Sequence, residues 1–412
     1  MATILPFKSI RPKRELVPLV SSRSYESYSI EERDSRMLYN PFSFLHIINP
    51  GYKFDQELTG EDRYQLVRNR YLEFKEDEIF IQDTAPCYYI YKIINREEES
   101  FIGIIALAHA EDYEKNIIKK HEDTLEEREL VFKNYLQTVG FNAEPVLLTY
   151  PDAPEISEVI DNIILQRAEY EFGTTNRETH YLWTVNASKD ITAIQSFFAK
   201  QQTLYIADGH HRSASSCLLA KESASANPNP SQKEAYKYFM TYLLPESALK
   251  IYEFNRLIKD LNGLSKKEFL IRLDSYFRIE NREQDVYKPS KPHHFSMYLE
   301  GEYYSLYLRK TVYSFENALD ELDAYILYKT ILNPILGIQD LRSDSRIDYS
   351  HGKNDILNIK TSVDQGDYKV GFGLFPATVE QMKKIADQGL KMPPKSTYIE
   401  PKLRSGLVIY EF

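Results

Sequence analysis

Residues 204–212 read Leu-Tyr-Ile-Ala-Asp-Gly-His-His-Arg. An apolar, strand-like run from Leu204 to Ala207 stops at Asp208-Gly209. His210, His211 and Arg212 follow, and Ser213 to Ala220 then reads as a helix. A strand, a tight glycine turn and a helix start together form an anion site, because backbone N–H groups and the positive end of the helix dipole converge there. The imidazoles and the guanidinium add donors and charge. Asp and Gly are also ordinary turn residues, and either histidine could be a satisfied half-buried side chain. Two imidazoles and a guanidinium nevertheless rarely follow an apolar strand for packing reasons alone. Consecutive histidines point different ways on a helix or a strand, so they do not easily share a metal. Arg212 beside them would repel a cation and suits bidentate phosphate contact.

The chain of 412 residues is long enough for two or three domains with substantial cores. With 42% hydrophobic and 27% charged residues it has a globular composition. A net charge of −10 argues against a general nucleic-acid-binding surface. The longest apolar run, Phe101 to Ala108, is far shorter than the roughly 20 residues of a spanning helix, so no membrane partner is expected. The two cysteines, Cys87 and Cys217, cannot form a disulfide framework, which fits the cytoplasm, and the N-terminus shows no signal peptide.

Hydrophobic period and punctuation predict an α+β fold, since helices and strands do not alternate strictly. Residues 1–60 read as irregular, broken by Pro6, Pro12, Pro18, Pro41 and Pro50. A hairpin is expected over residues 86–108. A capping box at Thr124 to Glu127 opens a helix with Val131, Tyr135 and Val139 on one face and Gly140 as its stop. Helices follow over residues 156–165 and 191–200, with a strand at His180 to Val185 between them. Ser223 to Ser231 reads as a proline-broken surface loop, and Tyr238 to Leu244 as a strand. Farther on, the patterns predict a helix from Ser265 to Phe277 capped by Ser265 and Glu268. A hairpin from Phe295 to Leu308 turns near Gly301. A helix over Ala318 to Leu332 and a last one starting near Thr378 complete the pattern. Met392 to Leu407 reads as a proline-rich loop dense in cations and hydroxyls.

Three further stretches carry candidate chemistry. Glu122, in Lys119-Lys120-His121-Glu122-Asp123-Thr124, lies at the mouth of a helix. Acidic residues are common there for dipole reasons alone, yet a hydroxyl acceptor in phosphoryl transfer wants a carboxylate, and the central motif supplies none but Asp208. Lys395-Ser396-Thr397 with Lys402 could close over phosphates or be a solvated loop. Arg342 to Gly352 pairs arginines with aspartates in a way that favours salt bridges over an active site.

The wording of these motifs resembles a bacterial family known as domain of unknown function 1015 over nearly the whole chain. The marks are Pro6-Phe7, Lys120-His121-Glu122 with Thr124, Ile206 to Arg212, Arg342 to Gly352, and Met392 to Leu407. The family's core is in turn similar to the ParB/sulfiredoxin-like fold, a nucleotide-binding scaffold shared with an archaeal free serine kinase. That kinase carries a similar Gly-His-His-Arg motif and uses a glutamate as base.

The resemblance implies a ParB/sulfiredoxin-like catalytic region over residues 1–245. It also implies a mixed α/β region over residues 246–412 whose final loop closes over the site. Gly209, His210, Arg212 and Ser213, with Lys395, Ser396, Thr397 and Lys402, would hold the phosphates of ATP or ADP with Mg²⁺. Asp208 would contact the acceptor or the ion, His211 would stabilise the transferred group, and Glu122 would act as base. The implied activity is a phosphotransferase on a small hydroxyl metabolite, with free L-serine the leading acceptor. The alternatives are a non-catalytic nucleotide-binding regulator and a phosphatase with His210 or His211 as nucleophile. His210 stands where sulfiredoxin has its cysteine, which removes that chemistry. Ser24-Tyr25-Glu26 replaces the family's Pro-Tyr-Asp and bears on specificity.

Overall fold

The computed structural model describes residues 1–227, 234–351 and 355–412. The chain divides into two compact units. The first holds Met1–Lys119, Thr124–Leu249 and Pro401–Phe412; the second holds Lys120–Asp123 and Lys250–Glu400.

The first unit is built on a nine-stranded mixed sheet. Its strands are β1 (Ile4–Leu5), β2 (Tyr88–Ile94), β3 (Ser100–His109), β4 (Ile118–Lys119), β5 (Val146–Tyr150), β6 (Tyr170–Gly173), β7 (Thr179–Val185), β8 (Leu204–Asp208) and β9 (Tyr238–Pro245). They lie in the order β4-β8-β5-β9-β3-β2-β7-β6, with β1 added to β3. β2 and β3 are the expected hairpin, in register from Tyr89 opposite Ile105 to Ile94 opposite Ser100. Gly103 is required in it, since a Cβ there would lie 2.7 Å from the Tyr242 ring.

The longer helices of this unit are α1 (Ile30–Tyr39), α2 (Gly60–Glu76), α3 (Glu126–Val139), α4 (Pro154–Ile164), α5 (Ser188–Phe198) and α6 (His210–Ala226). α4 begins with proline, which fits a first turn whose N–H has no helical partner. Ile156, Ile160 and Ile163 of α4 join Ile194, Phe197 and Phe198 of α5 in one cluster with Ile104, Leu148, Ile206 and Leu243 of the sheet. Each of those four sheet residues is fully buried, and each contributes roughly 1.5–3 kcal/mol of transfer free energy. The C-terminal segment belongs to this unit by backbone pairing. Ile10 and Ile409 exchange N–H···O bonds of 3.0 and 2.8 Å, and Tyr410–Glu411 pairs with Phe141–Asn142.

The second unit carries a six-stranded sheet of β10 (Phe254–Ile258), β11 (Phe277–Glu283), β12 (His294–Leu299), β13 (Glu302–Leu308), β14 (Ile347–His351) and β15 (Val370–Gly373). The order is β11-β13-β12-β15-β10-β14. Its helices are α7 (Lys266–Asp274), α8 (Asp323–Leu327), α9 (Asp355–Asp364) and α10 (Val379–Asp387). Ser265 with Glu268, and Thr378 with Gln381, form complete capping boxes at α7 and α10. The protein is therefore mixed α+β, and among the described residues no helix is long and apolar enough to cross a membrane.

Several local expectations are corrected. Residues 1–60 are not irregular throughout, because Ser29 caps α1 by accepting the N–H of Glu32. The Thr124 capping box does not form. α3 starts at Glu126 with no side-chain cap, and the Thr124 hydroxyl donates to Glu129 instead. Val131 is exposed; Lys133, Leu136 and Val139 are the buried positions of α3, which stops at Gly140 in a left-handed conformation. α7 ends at Asp274, and Phe277 opens β11. Of residues 318–332, helix begins only at Asp323 and widens into a π turn over Tyr328–Leu332. The 392–407 stretch is not all loop, since Tyr398–Glu400 pairs with Lys250–Tyr252. The helix α6 runs to Ala226, so Ser223 to Ala226 is not loop. The rest of that predicted loop from residue 228 onward, and Gly352 of the Arg342 to Gly352 motif, lie outside the described residues.

Candidate functional site

The strand–turn–helix unit forms as its residues require. β8 pairs with β4 at Leu204 and Tyr205 and with β5 to Ile206, then a bulge at Ala207 shifts the register so that Asp208 faces Leu147. A bulge at a strand end re-aims the next side chain. Gly209 follows with φ of +99°, and a Cβ there would lie 3.2 Å from Arg212 Nε. Glycine is needed both for the backbone conformation and for the approach of the guanidinium.

α6 starts at His210. Gly209 is its N-cap and supplies no side chain, and no acidic residue occupies its first turn. Its first intrahelical bond runs from Ser213 N–H to Gly209 O at 3.0 Å, so the amides of residues 210–212 precede that ladder. The positive end of a long helix thus opens onto Asp208, His211 and Arg212 without a capping carboxylate of its own.

The charged side chains around the turn come from distant parts of the first unit. Lys402 Nζ lies 3.0 Å from Asp208 Oδ2. The protein packed around Asp208 would by itself raise its carboxyl, even with the side chain still 39% exposed. The Lys402 ammonium, the Arg212 guanidinium and the Gly209 N–H outweigh that effect, and the carboxyl lies below its ordinary value. Arg212 Nη1 donates to Pro145 O at 2.7 Å and lies 3.1 Å from Glu144 Oε1. The Ser405 hydroxyl reaches Glu144 Oε2 at 3.4 Å, and Ser405 also exchanges backbone bonds with Ser22. Arg404, 7% exposed, donates to Ser21 O at 2.7 Å. The Leu125 N–H donates to His211 Nε2 at 3.3 Å, which makes that nitrogen an acceptor and places the ring proton of a neutral imidazole on Nδ1. His210 is buried, and the Ser213 hydroxyl donates back to Gly209 O at 3.2 Å.

The structure therefore brings Asp208, Gly209, His210, His211, Arg212, Ser213 and Lys402 together. Glu144 joins them through Arg212, although it did not stand out in the sequence. Glu144 precedes β5, the strand beside β8, and that adjacency is a product of tertiary pairing alone.

Glu122, Lys395, Ser396 and Thr397 belong to the second unit. Glu122 is half-buried and bridges in parallel to Met392, whose N–H donates to His121 O at 2.8 Å. Lys395 is exposed with φ of 55°, its Nζ 5.4 Å from the centre of the Phe254 ring. The Ser396 hydroxyl donates to Pro393 O at 2.6 Å. Arg346 pairs with Asp344 at 2.7 Å and donates to the carbonyls of Leu336 and Gly337, a structural use of the Arg342 to Gly352 motif. Among the described residues no group of three or more His, Cys, Asp or Glu side chains is arranged to hold a metal ion.

Residues 4–325 match the family described as protein of unknown function, DUF1015. The chain belongs to DUF1015. No curated protein matches this member of the family. Among solved structures it is similar to a free serine kinase mutant in complex with ADP, at 13% identity, 73% coverage of this chain, 88% of the other and a TM-score of 0.39. A conserved hypothetical protein from Pyrococcus furiosus gives 15%, 72%, 90% and 0.36. SbnI with a C-terminal truncation, from Staphylococcus aureus, gives 11%, 73%, 84% and 0.37.

Proposed function

We propose that this DUF1015 protein is a nucleotide-dependent phosphotransferase acting on a small hydroxyl metabolite, with free L-serine the first acceptor to test. On this reading its core is ParB/sulfiredoxin-like, and residues 1–245 form the catalytic region ahead of a C-terminal α+β region. The observation that carries the reading is the uncapped start of α6 beneath Arg212, with Lys402 on Asp208. A phosphate group would accept from the amides of residues 210–212, and Arg212 and Lys402 would exchange part of their contact with Glu144 and Asp208 for it.

The donor set suits Mg²⁺ carried by ATP or ADP, because that ion commonly takes one or two carboxylates and completes its shell with phosphates and water. Asp208 would be its protein ligand, and the ion would supply neutralisation of phosphate charge. His211, Arg212 and the helix dipole would stabilise charge on the transferred group. Glu122 is the proposed base for the acceptor hydroxyl, and Lys395, Ser396 and Thr397 are proposed nucleotide contacts; these four rest on their sequence motifs.

The acceptance of an N–H by His211 Nε2 speaks against that atom as a phosphatase nucleophile. The engagement of both cations by carboxylates favours the regulator as the second reading, since a pocket with internally paired charges can bind without turning over. Incubation with magnesium, ATP or ADP, and L-serine should yield phosphoserine by mass spectrometry. Absence of product with every nucleotide and small alcohol offered, alongside tight nucleotide binding by calorimetry, would leave the regulator.

A further inference from the structure

Three arginines are buried among the described residues: Arg11, Arg256 and Arg404. Two are satisfied by side chains of opposite charge. Arg11 binds Asp83 at 2.9 Å and Glu169 at 3.0 Å, and Arg404 reaches Ser21 with Glu178 3.8 Å away. Arg256, in the second unit, is different. It sits mid-strand in β10 directly opposite Tyr349 of β14 and is 1% exposed. Nη1 donates to Phe254 O at 2.5 Å, and the guanidinium carbon lies 4.7 Å from the centre of the Tyr349 ring. Nε and Nη2 have no hydrogen-bond partner. Tyr349 meets the guanidinium with its ring face, while its hydroxyl donates to Leu341 O at 2.6 Å.

Burial pulls the guanidinium down to about 10, opposed by Tyr349, so the group is still a cation at neutral pH. A buried ion without a counter-charge is destabilising, and that calls for a compensating partner.

The two unpartnered atoms, both closed to solvent, are adjacent ones. Nε and Nη2 form the side edge of the guanidinium, whose N–H groups point in parallel and match the two oxygens of a carboxylate or phosphate. We propose that Arg256 is the cationic floor of a binding site for a small oxyanion, which it holds through its Nε–Nη2 edge. The site lies in the second unit and does not rest on the nucleotide reading of residues 208–212.

The test uses the full chain with two probes at constant ionic strength, inorganic phosphate and, separately, acetate. Thermal unfolding and the Arg256 Nε–Hε NMR resonance are followed, the latter assigned by its loss in Arg256→Lys. A saturable rise in Tm with a matching resonance shift is expected for at least one probe. Phosphate alone would identify phosphoryl ligands, and acetate would identify carboxylates. Arg256→Met should abolish the response while unfolding at or above the wild-type Tm in anion-free buffer, because it removes an unpaired buried charge. Arg256→Lys keeps the charge but loses the fork, and should weaken the response about tenfold. No saturable response to either probe in the wild type overturns the proposal. An unchanged response in Arg256→Lys does so as well, and that arm holds even where the methionine variant fails to fold.

Discussion

Lys402 and Asp208 stand 194 residues apart in sequence and meet at 3.0 Å. The pair fastens the C-terminal segment onto the end of β8 within the first unit. Both side chains are substantially exposed, at 46% and 39%, so solvent screens the attraction and its stability value is under about 1 kcal/mol. Its value on the proposed reading is in binding. Lys402→Ala should leave the unfolding midpoint nearly unchanged yet weaken ATP or ADP binding roughly tenfold, about 1.4 kcal/mol. Calorimetry and denaturant unfolding on the same samples separate the two effects. An unchanged Kd would remove Lys402 from the phosphate site.

Gly209→Ala attacks the same turn through the backbone. The residue has φ of +99°, and the added methyl carbon would press on the Arg212 guanidinium at 3.2 Å. A destabilisation of roughly 1–3 kcal/mol is expected from the conformation alone. Nucleotide affinity should fall further than stability does, because Arg212 would be pushed off its bonds to Pro145 and Glu144. Denaturant midpoints and binding isotherms check both parts. Wild-type stability in the variant would show that the turn tolerates a side chain and that the glycine serves another purpose.

The parts of this site that were legible are those made locally. The apolar run, Asp-Gly and the histidines form a strand, a turn and a helix because each is decided within a few residues, and the Ser265 box and the helix start near Thr378 formed for the same reason. The Thr124 box failed because its hydroxyl found Glu129, a competitor within reach of the same side chain. Val131 kept the right period on the wrong face, since the face of α3 that is buried is set by its packing against α2 and α6. Glu144 was invisible because its role follows from β5 lying beside β8, a neighbour relation that no local pattern encodes. The prolines of residues 1–60 break the local periodicity, yet Ser29 and Glu32 start α1 between them.

Glu122→Gln tests catalysis apart from binding. Glutamine keeps the size and the acceptor oxygen but cannot take a proton, so on the proposed reading kcat should drop by about 10²–10⁴ with nucleotide Kd unchanged. Single-turnover phosphoserine formation beside calorimetry reads both. A kcat equal to wild type would show that the acceptor proton leaves by another route, and Glu144 would be the next carboxylate to replace.

Asp323 sets a pH dependence in the second unit. It is 5% exposed at the start of α8, with Oδ1 accepting the His293 N–H at 2.9 Å and Oδ2 without a partner. Burial pushes its carboxyl up to about 7, against the pull of the backbone N–H groups of His293 and Phe375. The folded state therefore holds this proton more tightly than the unfolded chain. Its contribution to stability is fully present below about pH 4 and is lost as pH rises through about 7. The loss is on the order of 4 kcal/mol as an upper bound. Asp323→Asn keeps an acceptor for His293 and carries no ionisable proton, so its stability should vary less between pH 5 and 8. Denaturant unfolding across that range, wild type against variant, gives the difference directly, with the variant gaining on the wild type as pH rises. Parallel pH profiles for the two proteins would mean that Asp323 stays ionised in the folded state, with water reaching Oδ2.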